Sequence, residues 1–384
     1  MPSPAPSTPQ RVAELDGVRG LAILLVLLYH YIAVPIPPDA GRPLSFIRQL
    51  FSNTWSGVDL FFVLSGFLIG GILIEHRSAG NYFRVFYTRR ISRIFPLYYF
   101  FLALFLLLQW LSPRLGIFSQ DLFYNPLPIT PYLVYLQNFA MAIRGTFGNE
   151  FLAMTWSLAI EEHFYLLLPL LVWRSRPDRL PFTLLFFVAL SVILRAMLAP
   201  GSYISFIVTP WRLDALFLGV LLAVLVRRPA LLETVTSRRV WVKAVAVALL
   251  IFIAYSSFSE PLGSLDHLLV FGLFFTAMLF LMLSQSGGPL TRFFRRRWLV
   301  SLGRYSYGIY LFHQMVNGMV HDIFFHRPPV VDSLPTALAT GLSFALVCLL
   351  ALGTYRAFET RFIELGHRSA YSIDEHIILP GVEK

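Results

Sequence analysis

The sequence predicts an all-α integral membrane protein with about ten transmembrane helices. The first observation behind this is composition. Of 384 residues, 57% are hydrophobic and only 14% are charged, with a mean hydropathy of +0.66. A soluble domain carries about 25% charged residues, so a soluble chain this apolar would lack the polar groups needed to cover its surface. The second observation is ten apolar runs of a length that can cross a bilayer. The third is the distribution of Lys and Arg between those runs.

A spanning helix needs about 20 mostly apolar residues to cross about 30 Å of hydrocarbon. Runs of that kind are read at roughly 20–34, 57–74, 94–111, 152–173, 181–199, 203–226, 240–258, 265–284, 299–320 and 335–356. Residues 1–10 are expected to be a disordered tail, residues 11–364 a single transmembrane domain, and residues 365–384 a cytoplasmic tail. The first run carries Tyr29 and His30 and so makes a poor signal peptide. Residues 131–143 are apolar but short, and read as a re-entrant or interfacial segment. The connection 112–151 is the longest expected outer loop, a natural lid or acceptor platform. Cys348 is the only cysteine, so an intrachain disulfide and a cysteine metal site are both excluded.

Charge sets the direction. Of the 31 Lys and Arg, 21 fall in the segments that share a side with the N-terminus and 5 in the segments opposite, with 5 inside the spans. This asymmetry places both termini in the cytoplasm. It also accounts for the net charge of +10 without nucleic acid, because the excess is arginine between apolar runs. A spanning segment at 131–143 would put the Arg clusters at 227–239 and 292–297 on the outside, which argues against it.

Ionisable groups at membrane depth are costly, so each is a functional candidate. Arg19 and His30 are eleven residues apart, which puts them on nearly one helical face about 16 Å apart. Asp59 lies near the outer end of the second span. Glu161 and Glu162 lie mid-span, and His313 in the outer half of its own. Arg212 and Asp214 follow Pro210 and are candidates for pairing with other spans. On the inner side Arg84, Arg89, Arg90 and Arg93 cluster, with Arg90 and Arg93 on one helical face. Guanidinium forks suit phosphate oxygens. A cationic cytoplasmic mouth below a His/carboxylate cluster suits an enzyme with an anionic donor. It equally suits a proton-coupled transporter or flippase of a lipid-linked or glycosylated substrate.

Five blocks, in order, resemble the acyltransferase-3 family of bacterial integral-membrane O-acyltransferases. LDGVRGLAILLVLLYH carries the family's Arg-ten residues-His signature at Arg19 and His30. GVDLFFVLSGFLI resembles the second helix, and RRISRIFPLY carries Arg-x-x-Arg at Arg90 and Arg93. WSLAIEEHFYLLLPLL matches a block whose acidic residue falls on Glu161, and LGRYSYGIYLFH ends at His313. The late Glu-x-Pro of the family reads Glu359-Thr360-Arg361 here, without the proline. The esterase domain of SGNH type that many members carry is not expected in this chain.

The resemblance implies an enzyme of the bacterial cytoplasmic membrane. It would move an acyl group, acetyl first among them, from cytoplasmic acyl-CoA to a hydroxyl of a carbohydrate-type acceptor, as in polysaccharide modification. His30 would be the general base, or would transiently accept the acyl group. Asp59 or Glu161 would orient its imidazole, with His313 in the same site. Arg19, Arg90 and Arg93 would hold the phosphates of acetyl-CoA. No metal is required, and membrane lipid is the surrounding partner.

Overall fold

The computed structural model describes residues 12–119, 121–198, 204–259, 267–285 and 287–372. The tail at 1–10, and residues 373–384 of the expected cytoplasmic tail, lie outside the described residues. Among those described, every regular element is helical. The long helices are α1 (Ala13–Leu28), α2 (Gly57–Glu75), α3 (Tyr82–Leu115), α4 (Trp156–Arg174), α5 (Leu180–Leu198), α6 (Leu213–Val226), α7 (Pro229–Ser237), α8 (Arg239–Ser259), α9 (Leu268–Leu283), α10 (Arg297–Arg304), α11 (Ser306–Phe325), α12 (Leu334–Thr354) and α13 (Thr360–His367).

Length and hydropathy bear out part of the expected ten spans. Among the described residues six helical stretches are long and apolar enough to cross a membrane: Ala13–Ala33, Arg42–Glu75, Tyr82–Arg114, Leu180–Met197, Arg239–Ser259 and Leu334–His367. Pairing α6 with α7 gives a seventh, but the two are bent by 103°. The other runs do form helices. However, α4 carries Glu161 and Glu162, α11 carries His313, His321, Asn317 and Asp322, and α9 has only 16 residues. Polar side chains that face protein rather than lipid lower a helix's hydropathy without barring it from the bundle.

The ends of the bundle are nonetheless consistent with alternating direction. At one end Glu14 of α1 accepts from Arg295, and Glu75 of α2 lies 2.5 Å from Arg227. Arg77 donates to the carbonyls of Trp173 and Ser175, and Arg228 to that of Pro177. At the other end the Val331 amide donates to the Pro35 carbonyl at 2.9 Å, and Asn53 donates to Ser256 and Ser257 at the close of α8. The arginine-rich segments thus gather at one end.

Segment 131–143 is not one helix. It breaks into Thr130–Leu133 and Gln137–Arg144, joined through Tyr135 at φ 57°. The left-handed conformation is uncommon for a bulky aromatic residue and marks a sharp reversal. The tip is buried, with the Tyr135 ring 4.5 Å from Tyr98 and 5.3 Å from Phe95 of α3. The segment is thus two short helices around a buried reversal.

α2 is the central helix and α8 a peripheral one, for 72% of the apolar window of Arg42–Glu75 is buried against 17% for Arg239–Ser259. The outward faces carry Trp241, Val245, Ile251, Leu338 and Leu349 to the surroundings, as lipid contact requires. At the centre α2 crosses α6 backbone to backbone. Gly66 meets the Leu216 carbonyl, and Gly219 meets the Val63 carbonyl. Apolar helices in lipid gain from such close approach rather than from hydrophobic burial. A side chain at Gly219 would have to push backbone apart, so Gly219→Leu is expected to abolish the folded bundle, read as loss of the monodisperse peak in detergent size-exclusion chromatography.

Two buried ion pairs tie this crossing to its neighbours. Arg212, entirely buried at the start of α6, lies 2.9 Å from Asp59 of α2. Arg195 of α5 lies 2.9 Å from Asp214 and donates to the Trp211 carbonyl at 2.5 Å. The Arg212 contact is an ion pair that falls short of a linear hydrogen bond. Its guanidinium is supported instead by the rings of Phe206, Phe62 and Trp156, at 5.1, 5.4 and 5.9 Å. Cation–π contact of this kind is strongest when desolvated.

Candidate active site

The first helix does not run straight through His30. It ends at Leu28 and widens into a π-helical turn over Tyr29–Ala33. Such π segments are frequent at functional sites. A second one spans Tyr355–Glu359 and carries Glu359.

His30 Nδ1 lies 3.0 Å from the Val26 carbonyl. His313 Nδ1 lies 2.6 Å from the Tyr310 carbonyl. A carbonyl oxygen only accepts, so both Nδ1 atoms carry hydrogen. In a neutral imidazole the lone pair then sits on Nε2. The two rings meet edge-on, with centroids 4.9 Å apart, and His313 Nε2 lies 3.4 Å from His30 Nδ1. The His313 lone pair therefore faces the His30 N–H, as a shared second acceptor. The Tyr31 hydroxyl donates to the His313 carbonyl at 2.8 Å and locks α1 to α11. His313 is fully buried, while His30 keeps partial exposure. His30 Nε2 is left with its lone pair, the arrangement a general base needs.

The structure brings His30 and His313 together, but not the carboxylates expected to orient them. Asp59 is held by Arg212, and no hydrogen bond joins it to either histidine among the described residues. The physical reason is competition: a fully buried guanidinium has a stronger claim on a buried carboxylate than a neutral imidazole does. Glu161 belongs to another cluster. It lies within hydrogen-bonding reach of Ser65 and Tyr165 and electrostatic reach of Arg90 and Arg93. Ser65 and Tyr165 are themselves 2.7 Å apart. The groups beside His30 Nδ1 are the Val26 carbonyl at 3.0 Å and His313 Nε2 at 3.4 Å instead.

Between the histidines and the arginines the polar contacts are nearly continuous. The Tyr310 hydroxyl donates to the Met154 carbonyl at 2.9 Å and lies 2.6 Å from Ser157 Oγ. Ser157 is one turn of α4 from Glu161, which leads to Arg90. Sequence reasoning missed Ser157, Tyr310, Ser65 and Tyr165. Their only local signal is spacing, with Tyr310 three residues before His313 and Ser157 four before Glu161. Among the described residues Arg90 Nε has no hydrogen-bond partner. Glu359 is buried with one oxygen unpartnered and lies in electrostatic reach of Arg93. Arg19 donates to Asp16 at 2.7 Å.

The connection 112–151 is pinned at several points. Asp322 of α11 accepts from the Ser119 amide at 2.8 Å and from its hydroxyl. Asn149 donates to the carbonyls of Leu122 and Tyr124 and caps the next turn through the Phe151 amide. Among the described residues no three His, Cys, Asp or Glu side chains converge as a metal-binding group.

An apolar helical bundle that holds paired histidines and buried arginines among its helices is a multi-pass membrane protein. The chain belongs to the acyltransferase-3 family, whose acyltransferase domain matches residues 12–356. It is 27% identical over 379 residues to the O-acetyltransferase OatA of Staphylococcus aureus strain NCTC 8325, covering 94% of this chain and 59% of that protein. It is 24% identical over 376 residues to a putative O-acetyltransferase of S. aureus strain COL, covering 92% of this chain and 58% of the relative. The chain thus spans about three-fifths of the length of these relatives. No solved structure matches it.

Proposed function

We propose that the protein transfers an acyl group, acetyl first among them, from cytoplasmic acyl-CoA to a hydroxyl of a carbohydrate-type acceptor near the outer face of a bacterial cytoplasmic membrane. The observation that carries this reading is the His30–His313 pair, with the His30 Nε2 lone pair unshared. Family membership and the O-acetyltransferase names of the relatives support the reaction class. In this reading the chain crosses the membrane about ten times with both termini in the cytoplasm, the direction the arginine-rich end favours.

The chemistry follows from the ring. A sugar hydroxyl is a poor nucleophile until its proton has somewhere to go. His30 Nε2 takes that proton as the hydroxyl oxygen attacks the thioester carbonyl. The imidazolium that forms shares its Nδ1–H between the Val26 carbonyl and His313 Nε2, which stabilises the charge. Collapse of the tetrahedral intermediate breaks the C–S bond, and the departing CoA sulfur takes the proton back. Products are the O-acyl ester and free CoA, with His30 neutral again.

Arg90 and Arg93 hold the donor's phosphates, with Arg19 at the same end of the bundle. Asp59 is assigned to Arg212 and not to the histidines. Arg90→Ala is expected to raise the KM for acetyl-CoA by about 10-fold or more, as for loss of a charge-assisted contact, while kcat falls much less. Saturation curves for acetyl-CoA check this, and an unchanged KM counts against the phosphate role.

A further inference from the structure

After α13 the chain turns back over the Arg90 end of the bundle. The helix is seated there by Gly366, which lies against Ser92 of α3. Residues 369–372 then form a strap held almost wholly by side chains from α3 and its cap. Arg89 Nε donates to the Ser369 carbonyl at 3.0 Å. Asn81 grips both sides of the strap. Its Nδ2 donates to the Ala370 carbonyl at 2.9 Å, and its Oδ1 accepts from the Ser372 amide at 2.9 Å.

The strap inserts one side chain. The Tyr371 ring is stacked on His76, which follows α2, with centroids 4.0 Å apart and planes 26° from parallel. The Arg89 guanidinium stands 5.2 Å from the Tyr371 ring centroid. Arg90 is within electrostatic reach of the same side chain. Among the described residues the buried Tyr371 hydroxyl has no hydrogen-bond partner. An unpaired buried hydroxyl is unfavourable, so the slot holds the ring and gains nothing from the phenol oxygen. The strap itself has little apolar anchorage, since Ala370 and Ser372 are exposed. Segments with few buried contacts open at low free-energy cost.

A flat imidazole on one side and a guanidinium near the other form a receptor for a planar π-system. The slot lies next to the arginines to which the donor's phosphates are assigned. We propose that the space between His76 and Arg89 is the subsite for the purine base of the acyl-CoA donor, and that Tyr371 occupies it until the donor displaces the strap. This rests on the donor assignment above. The strap competes with the base for one slot, so the donor's apparent affinity is lowered by the fraction of molecules in which the slot is open.

The test is equilibrium binding of CoA to the full-length protein in detergent micelles. Tyr371→Ala empties the slot and is expected to tighten CoA binding by about 3- to 10-fold, as for a slot that is closed most of the time. Tyr371→Phe keeps the ring and should bind CoA as the wild type does. Adding His76→Ala to Tyr371→Ala should remove the gain, because the stacking surface is gone. The gain should also vanish when pantetheine, which has no base, replaces CoA. Unchanged or weaker CoA binding by Tyr371→Ala overturns the proposal, as does an equal gain for pantetheine. Arg90→Ala separates the two readings. Undiminished CoA binding there sinks the donor assignment, whereas weakened binding with an inert Tyr371→Ala sinks the strap alone. CoA binding by none of the variants overturns both.

Discussion

Replacing His30 with alanine is expected to abolish acyl transfer while leaving expression and membrane insertion intact. General-base catalysis contributes about 10²- to 10⁴-fold, so the rate should fall by at least that factor. Of the two paired histidines, the substitution removes the one whose Nε2 is both unshared and partly accessible, since His313 is fully buried and its Nε2 faces His30. The fold should tolerate it, because His30 bonds only to a carbonyl of its own helix and to His313. His313→Ala should have a smaller effect, since the Val26 carbonyl still orients the base. Transfer assays on purified protein, beside a thermal-unfolding check of each variant, measure both. Full activity in His30→Ala would end the proposed mechanism.

Asp59→Ala is expected to be strongly destabilising at the centre of the bundle. It leaves the Arg212 guanidinium fully buried and without its counter-charge. Removing one partner of a buried pair costs about 3–5 kcal/mol. The sign of the double replacement is the informative part. Asp59→Leu with Arg212→Met removes both charges and should restore much of the lost stability, as apolar replacements of buried pairs do elsewhere. If the double variant also transfers acyl groups, Asp59 acts through the fold. An Asp59→Asn variant that stays folded but inactive would return Asp59 to the catalytic centre.

Much of the fold was legible because lipid imposes a coarse rule. An apolar run long enough to cross a bilayer is visible without knowing its neighbours, and so is the bias of arginine toward one end. Arg212 and Asp214 were readable as pairing candidates for the same reason. Their partners were not, since Asp59 and Arg195 are joined to them only by packing. That is also why a carboxylate was expected beside His30: sequence shows which charges reach membrane depth, not which reach each other.

The count of spans was the weaker reading. Helices α4, α9 and α11 are present but too polar or too short by hydropathy, and Leu213 begins α6 well after the apolar run starts at 203. The π turn at Tyr29–Ala33 leaves no mark in the pattern of apolar residues. The Tyr371 strap joins residues 76, 89 and 371, and a contact over that sequence distance has no local signature.

The central claim is that His30 moves an acyl group from a donor at the arginine end to an acceptor at the other. The direct measurement uses wild-type and His30→Ala protein in sealed liposomes of defined orientation. Isotope-labelled acetyl-CoA is supplied on one side and a saccharide acceptor on the other, and mass spectrometry reads the acceptor. The account predicts acceptor heavier by one labelled acetyl group only when acetyl-CoA meets the Arg90 face, and none with His30→Ala. Label transferred equally by His30→Ala, or only from donor at the opposite face, would contradict it.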